Sequence, residues 1–272
     1  MSGKIGFIGA GNLAGALING MLKSGKYKEK DIYIYDIIQE KRDYYKSRNI
    51  NAESDECGVV RNCDIIFIAV KPVHLKTVLT KIKSCADESK VFVSVVAGVS
   101  VAFIREYLGT GAKVVRVMPN TPALIGEGAT AISYDDKVGE MLGGEVADIF
   151  GSVGIYSIIP EDNMNGVISL NGSSPAYIYM LIKALIEGAE EQGIDEMSAK
   201  KLAIQSIIGC ARMVSESDES IDTLIKRVCS PNGTTEKAVD SLNNNNFIGT
   251  VKKAMYACTE RADSLELEIK QN

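Results

Sequence analysis

Five stretches of this chain carry residues whose types and spacing can do chemistry. The first is Lys4-Ile5-Gly6-Phe7-Ile8-Gly9-Ala10-Gly11-Asn12-Leu13-Ala14, a short apolar run that enters a glycine-rich turn. Gly9 lets the chain bend sharply, Gly11 has no side chain to block a pyrophosphate, and Ala14 falls where a following helix must press on a sheet. The unpaired N–H groups at the helix start, with its dipole, suit phosphate. A second apolar run, Asp31-Ile32-Tyr33-Ile34-Tyr35-Asp36, ends in an acid about 20 residues further on, where a carboxylate meets ribose hydroxyls. Asp36 repels a 2′-phosphate, and Ile37 and Ile38 bring no positive charge, so the pattern leans to NADH over NADPH. Lys41 and Arg42 lie a helical turn beyond.

The other four stretches are loops at element ends. Ala69-Val70-Lys71-Pro72 follows a strand, with Pro72 suited to the first turn of a helix and Lys71 to phosphate or ribose. His74, the only histidine, is not expected to be catalytic. Met118-Pro119-Asn120-Thr121-Pro122, with Gly126-Glu127-Gly128-Ala129 after it, is a proline-fixed turn that can wall a cleft. Asn171-Gly172-Ser173-Ser174-Pro175-Ala176-Tyr177 caps a long helix. Ser230-Pro231-Asn232-Gly233-Thr234-Thr235-Glu236 is a helix start with three hydroxyls and exposed N–H groups, a receptor for a carboxylate.

The elements that must position these loops alternate. Apolar strands are expected at Ile5–Ile8, Ile32–Tyr35, Ile65–Val70, Val91–Val95, Val114–Val117, Ala129–Ser133 and Ile155–Ile159, with amphipathic stretches between. Continuous apolar runs suit strands covered on both faces, hence a parallel doubly wound sheet. After Pro160 no strand pattern is seen. Helical patterns cover about 174–192, 198–213 and 246 onward, with turns at Gln192-Gly193-Ile194-Asp195 and at the polar run Asn243–Asn246. The expected class is therefore α/β, a Rossmann-type sheet over 1–160 followed by an all-helical domain over 161–272. Faces too apolar for a lone chain predict a dimer through these helices.

With 272 residues, 46% hydrophobic and 24% charged, the composition is that of a globular protein of two domains. No apolar run approaches the ~20 residues of a membrane span, and no secretion signal is seen. A net charge of −5 speaks against a nucleic-acid surface. Six cysteines and one histidine lack ligand spacing, so no metal is expected and the cysteines are read as reduced thiols of a cytoplasmic protein, Cys229 included.

In order and spacing, these stretches resemble pyrroline-5-carboxylate reductase from residue 4 to about 260. The resemblance implies reduction of 1-pyrroline-5-carboxylate to L-proline with NADH or NADPH, in a homodimer, with a higher oligomer of dimers left open. It implies a cofactor on Ile8, Gly9, Ala10, Gly11, Asn12, Leu13, Asp36, Ala69, Val70, Lys71, Pro72, Val95, Val96 and Ala97. It implies a substrate gripped by Ser230, Asn232, Gly233, Thr234 and Thr235, with Glu161 nearby and the Thr235 hydroxyl reaching the imine nitrogen. Asn171, Ser174 and Asn232 depart from the family's usual Ser, Gly and Gly, and Glu56 and Arg227 stand where Asn is common, so no role passes to those two. Asn232 suits a turn because Asn adopts positive φ.

Two other readings compete. A 3-hydroxyacid dehydrogenase-type reductase needs a lysine on the long helix with an Asn one turn on; Lys183 is the only lysine there and position 187 is Glu. A non-catalytic dinucleotide sensor has no need of a carboxylate pocket at 230–235.

Overall fold

The computed structural model describes residues 3–271. Eight strands form one sheet: β1 (Ile5–Ile8), β2 (Ile32–Tyr35), β3 (Asn51–Ala52), β4 (Ile65–Ile68), β5 (Val91–Ser94), β6 (Lys113–Met118), β7 (Gly128–Ser133) and β8 (Gly154–Ile158). Between them run α1 (Asn12–Ser24), α2 (Gln39–Ser47), α3 (Glu56–Asn62), α4 (Pro72–Ile82), α5 (Val101–Leu108) and α6 (Gly139–Gly151). The strand order is β3-β2-β1-β4-β5-β6-β7-β8. The order reverses between β1 and β4, and ligands of such sheets bind outside the strand ends at that point.

Alternation along each strand divides the core between the two faces of the sheet. Phe7 and Phe67 stack at 4.7 Å on one face with Leu17, Ile34 and Phe150. Ile8, Ile66, Ile68, Phe92 and Leu79 pack on the other. Each such side chain, fully buried, stabilises by about 1.5–3 kcal/mol. This two-sided cover is why the strands read as continuous apolar runs.

The sheet departs from the expected all-parallel order at one pairing. β7 runs antiparallel to β6, with Arg116 opposite Ser133 and Met118 opposite Ala131. The link between them holds only a 3-10 turn at Thr121–Ile125, and a parallel return needs a crossover of about a dozen residues or more. β8 then pairs parallel to β7. β3, two half-buried residues paired to β2, was not expected.

The helical part comprises α7 (Met164–Val167), a wide π-type turn at Ile168–Gly172, α8 (Ser174–Glu190), α9 (Glu196–Glu216), α10 (Ile221–Val228), α11 (Thr234–Asn244) and α12 (Phe247–Gln271). Compactness divides the chain elsewhere than at the expected 160/161 boundary. One unit takes residues up to Ser173 together with those from Tyr256 onward, and the other is Ser174–Met255. The strands do end where expected, but α7, the π-type turn and the last part of α12 pack with the sheet unit. No helix among the described residues is long and apolar enough to cross a membrane.

The cysteines also differ from expectation. Cys57 and Cys85 are paired as a disulfide with Cα atoms 6.0 Å apart, leaving Cys63, Cys210, Cys229 and Cys258 as thiols. Cys63 lies buried under β1, and burial pushes its thiol up to about 12.

Candidate functional site

The glycine turn is built as its spacing predicts. Gly9 has φ +98°, its N–H donates to Tyr35 O at 2.8 Å, and a Cβ there would lie 2.3 Å from Ala69 O. No other residue type fits without moving β4. A Cβ on Gly11 would meet nothing within 4 Å, so the space over the turn is open. Gly11 caps α1 without any side-chain hydrogen bond, so no side chain competes for the helix's first donors. An open space over an uncapped helix start fits the pyrophosphate of a dinucleotide. Ala14 is buried against the sheet as the motif requires.

Asp36 ends β2 and is only 7% exposed. Its Oδ2 accepts the Ala10 N–H at 2.8 Å and meets Lys41 Nζ at 3.0 Å, while Oδ1 accepts the Ile38 N–H at 3.0 Å. Burial raises its pKa, but the Ile38 and Ala10 donors and Lys41 outweigh it and hold the carboxyl below its usual value. The acid therefore ties the glycine turn to β2. Oδ1, with one donor, keeps room for a ribose hydroxyl. Arg42 turns back onto the Asp36 carbonyl and stacks over the Tyr35 ring at 5.4 Å.

A cavity of about 400 Å³ opens at the ends of β1, β2 and β4. Gly9, Gly11, Asp36, Val70 and Lys71 line it, as expected, and so do Glu56 and Lys81. Glu56, 7% exposed, pairs with Lys81 at 2.9 Å. Lys71, just before α4, and His74, Val78 and Lys81 on it line the cavity. These residues were present in the sequence, but only the placement of α4 shows where they point. Val95, Val96 and Ala97 follow β5 directly, on the side of the reversal opposite β2 and β3. Val95 and Ala97 are half-buried and Val96 is buried.

Residues 230–235 lie in the second unit. Asn232 takes φ +57°, as its type allows. A Cβ on Gly233 would meet Ser230 Oγ at 2.3 Å, so the turn needs glycine there. The Glu236 carboxylate reaches back to the Asn232 N–H at 2.8 Å, and Gly233 caps α11 with no side-chain bond. The Thr234 and Thr235 N–H groups open α11. Thr235 is half-buried and Ser230 is exposed. Arg227 pairs with Glu219 at 2.5 Å.

Glu161 lies in the first unit, and its carboxylate already has partners. Oε1 accepts the Val101 N–H at 2.6 Å and lies 3.8 Å from Arg116. Asn171 Nδ2 bridges the carbonyls of Met118 and Ala129, at 2.7 and 2.9 Å, so the Asn departure staples β6 to β7. Lys183 is exposed and pairs with Glu187 at 3.6 Å, unlike a catalytic lysine of a hydroxyacid dehydrogenase.

Known proteins resemble this chain along nearly its whole length. Residues 161–265 match the family described as pyrroline-5-carboxylate reductase dimerisation, and residues 4–98 match NADP oxidoreductase coenzyme F420-dependent. The pyrroline-5-carboxylate reductase of Escherichia coli K12 is 36% identical over 97% of this chain and 99% of its own. That of Arabidopsis thaliana is 35% identical over 96% and 95%. A solved pyrroline carboxylate reductase of Plasmodium falciparum with NADP bound superposes with a TM-score of 0.89 at 33% identity, covering 97% of this chain and 98% of that one. Ketol-acid reductoisomerase, at 14% identity and TM-score 0.67, shares the fold alone. With identity above 30% along nearly its whole length, the chain belongs to the pyrroline-5-carboxylate reductase family.

Proposed function

We propose that the chain reduces 1-pyrroline-5-carboxylate to L-proline, using the cavity at the β1–β4 reversal for a nicotinamide nucleotide and the Ser230–Thr235 turn for the imino acid. The observation that carries this reading is that α1 and α11, both without a side-chain N-cap, begin at the glycine turn and at the Asn232–Gly233 turn. α1 suits a pyrophosphate and α11 suits a carboxylate. A bound dihydronicotinamide supplies the hydride to the ring imine. The protein's own work is orientation, which accounts for about 7–11 kcal/mol of barrier in favourable cases. The N–H groups of Thr234 and Thr235 hold the substrate carboxylate, and the Thr235 hydroxyl oxygen accepts the N–H of the ring nitrogen. The nitrogen enters as a protonated iminium, already a good hydride acceptor, and needs no metal.

The buried, ionised Asp36 supports NADH as the preferred cofactor, because a 2′-phosphate there meets a fixed negative charge. Initial rates with each cofactor at fixed pyrroline-5-carboxylate test the reading. Oxidation should be faster with NADH, and D36S should move the preference toward NADPH. No oxidation of either cofactor would leave a nucleotide sensor as the better description.

The working form is a homodimer, supported by the dimerisation-family match and by exposed apolar residues on α8 such as Tyr179, Met180 and Leu185. We place the enzyme in the cytoplasm, where the pair Cys57–Cys85 provides a check. Six alkylatable thiols in protein trapped directly from cells sustain that placement, and four would move it to an oxidising compartment.

A further inference from the structure

The loop between β5 and α5 is gripped at two successive peptide groups by acids from distant parts of the chain. The Val101 N–H donates to Glu161 at 2.6 Å, and the Ser100 N–H donates to Glu266 at 2.7 Å. The donors at the start of α5 are thus satisfied by two carboxylates, while Ser100 Oγ accepts the Phe103 N–H at 3.0 Å. Arg116 on β6, 5% exposed, stands 3.8 Å from Glu161 and donates to Asn165. Asn165 in turn donates to Asp263 at 2.7 Å. Lys270 holds Glu266 at 3.2 Å. Gly98 seats the loop directly on α12: it has φ +71°, and a Cβ there would come within 2.7 Å of Ala262 O.

These ion pairs are only partly buried and add little net stability; their weight here is in the geometry they hold. Here the fixed object is the segment that carries Val95, Val96 and Ala97. In a doubly wound sheet the two halves of a dinucleotide lie on opposite sides of the strand-order reversal. Asp36 and Glu56 occupy the β2 side, so 95–97 fall to the nicotinamide side.

We propose that Glu161 and Glu266 are positioning residues for hydride transfer. They act through the Val101 and Ser100 peptides to set the strip Val95–Ala97 against which the nicotinamide ring is seated, and Arg116 holds the Glu161 carboxylate in place. This reassigns Glu161 from substrate contact to support of the cofactor's reactive end. It rests on the reading of 95–97 as the nicotinamide side of the site.

The test uses E161A, E161Q, E266A and, on the strip itself, A97V, each in the full-length enzyme. Three quantities are read: the single-turnover rate of NADH oxidation, the KM for pyrroline-5-carboxylate, and the Kd of ADP-ribose, which stops short of the nicotinamide. E161A and E266A should each slow hydride transfer about tenfold to a hundredfold, the scale of a small misplacement. ADP-ribose affinity and imine KM should stay unchanged. E161Q, whose amide oxygen still accepts the Val101 N–H, should recover most of the rate. A raised imine KM with the rate intact would return Glu161 to the substrate site. ADP-ribose binding lost in parallel with the rate would reduce the clamp to support of the fold. If A97V slows the reaction and both acid variants do not, the clamp fails alone. If A97V is silent, the reading of the strip fails and the clamp with it.

Discussion

Thr235 stands in the first turn of α11, half-buried, with a hydroxyl and no charge. Its proposed task is to orient the ring nitrogen and its proton. T235A should therefore lower kcat by about 10²–10³, within the range of general-acid contributions, and leave NADH affinity unchanged by fluorescence titration. An unaltered kcat at saturating imine removes the hydroxyl from the mechanism. At this scale the sequence was legible where chemistry forces a residue type. Gly9 is dictated by the Ala69 carbonyl, and Asp36 by the turn it closes. Glu56 was noted only as standing where the family often has an Asn, with no role carried over, and Lys81 was not legible as a cavity residue. Their types are ordinary for surface helices, and only the packing of α3 on α4 brings them together. Glu161 was legible as a candidate, but its partners Val101 and Arg116 were not, since neither lies close to it in the chain and Val101 is 60 residues away.

Elements were readable by period and unreadable by direction. The runs at β1, β2, β4 and β5 announced themselves because both faces are covered. β3 did not, being two residues long and half-polar. The reversal of β7 was written in the short link after Met118, with its two prolines, although its apolar pattern is that of a parallel strand. α10 is a compact amphipathic helix with Ser220 accepting the Thr223 N–H, too short to stand out. The turn before α11 supplies a test at this scale. Asn232 holds φ +57°, which Asn and Gly tolerate and a β-branched residue resists by about 1–2 kcal/mol. N232G should keep the imine KM. N232V should raise it, with cofactor affinity preserved, because the distortion falls on the turn proposed to receive the carboxylate. Equal kinetics in the two variants would show that the turn's shape is not what binds.

Across the whole molecule, several acids ionise more readily in the folded state than in the unfolded chain. For Asp36 burial opposes this, and the Ile38, Ala10 and Lys41 donors prevail. For Asp135 the bond from Arg105 leads. For Glu266 burial is again outweighed, by Ser100 and Lys270. A depressed folded pKa favours folding above the unfolded value of about 4, and that contribution drains away as pH falls through the lower folded values. The melting temperature should thus be flat in acid contribution from pH 7 to 5 and drop steeply below about pH 4. D36N should soften the drop, and a variant curve parallel to the parent's would show that this carboxylate does not contribute to it.

α12 starts among the residues of the helical unit and ends among those of the sheet unit. The last part of the chain therefore supplies Glu266 and the Ala262 carbonyl to a loop that follows the fifth strand. During synthesis the sheet-bearing part emerges first but lacks these contacts until the residues from Tyr256 onward have been made. Its maturation waits for that late segment, and nascent chains cut short of residue 256 should hold this part in an immature, protease-sensitive form.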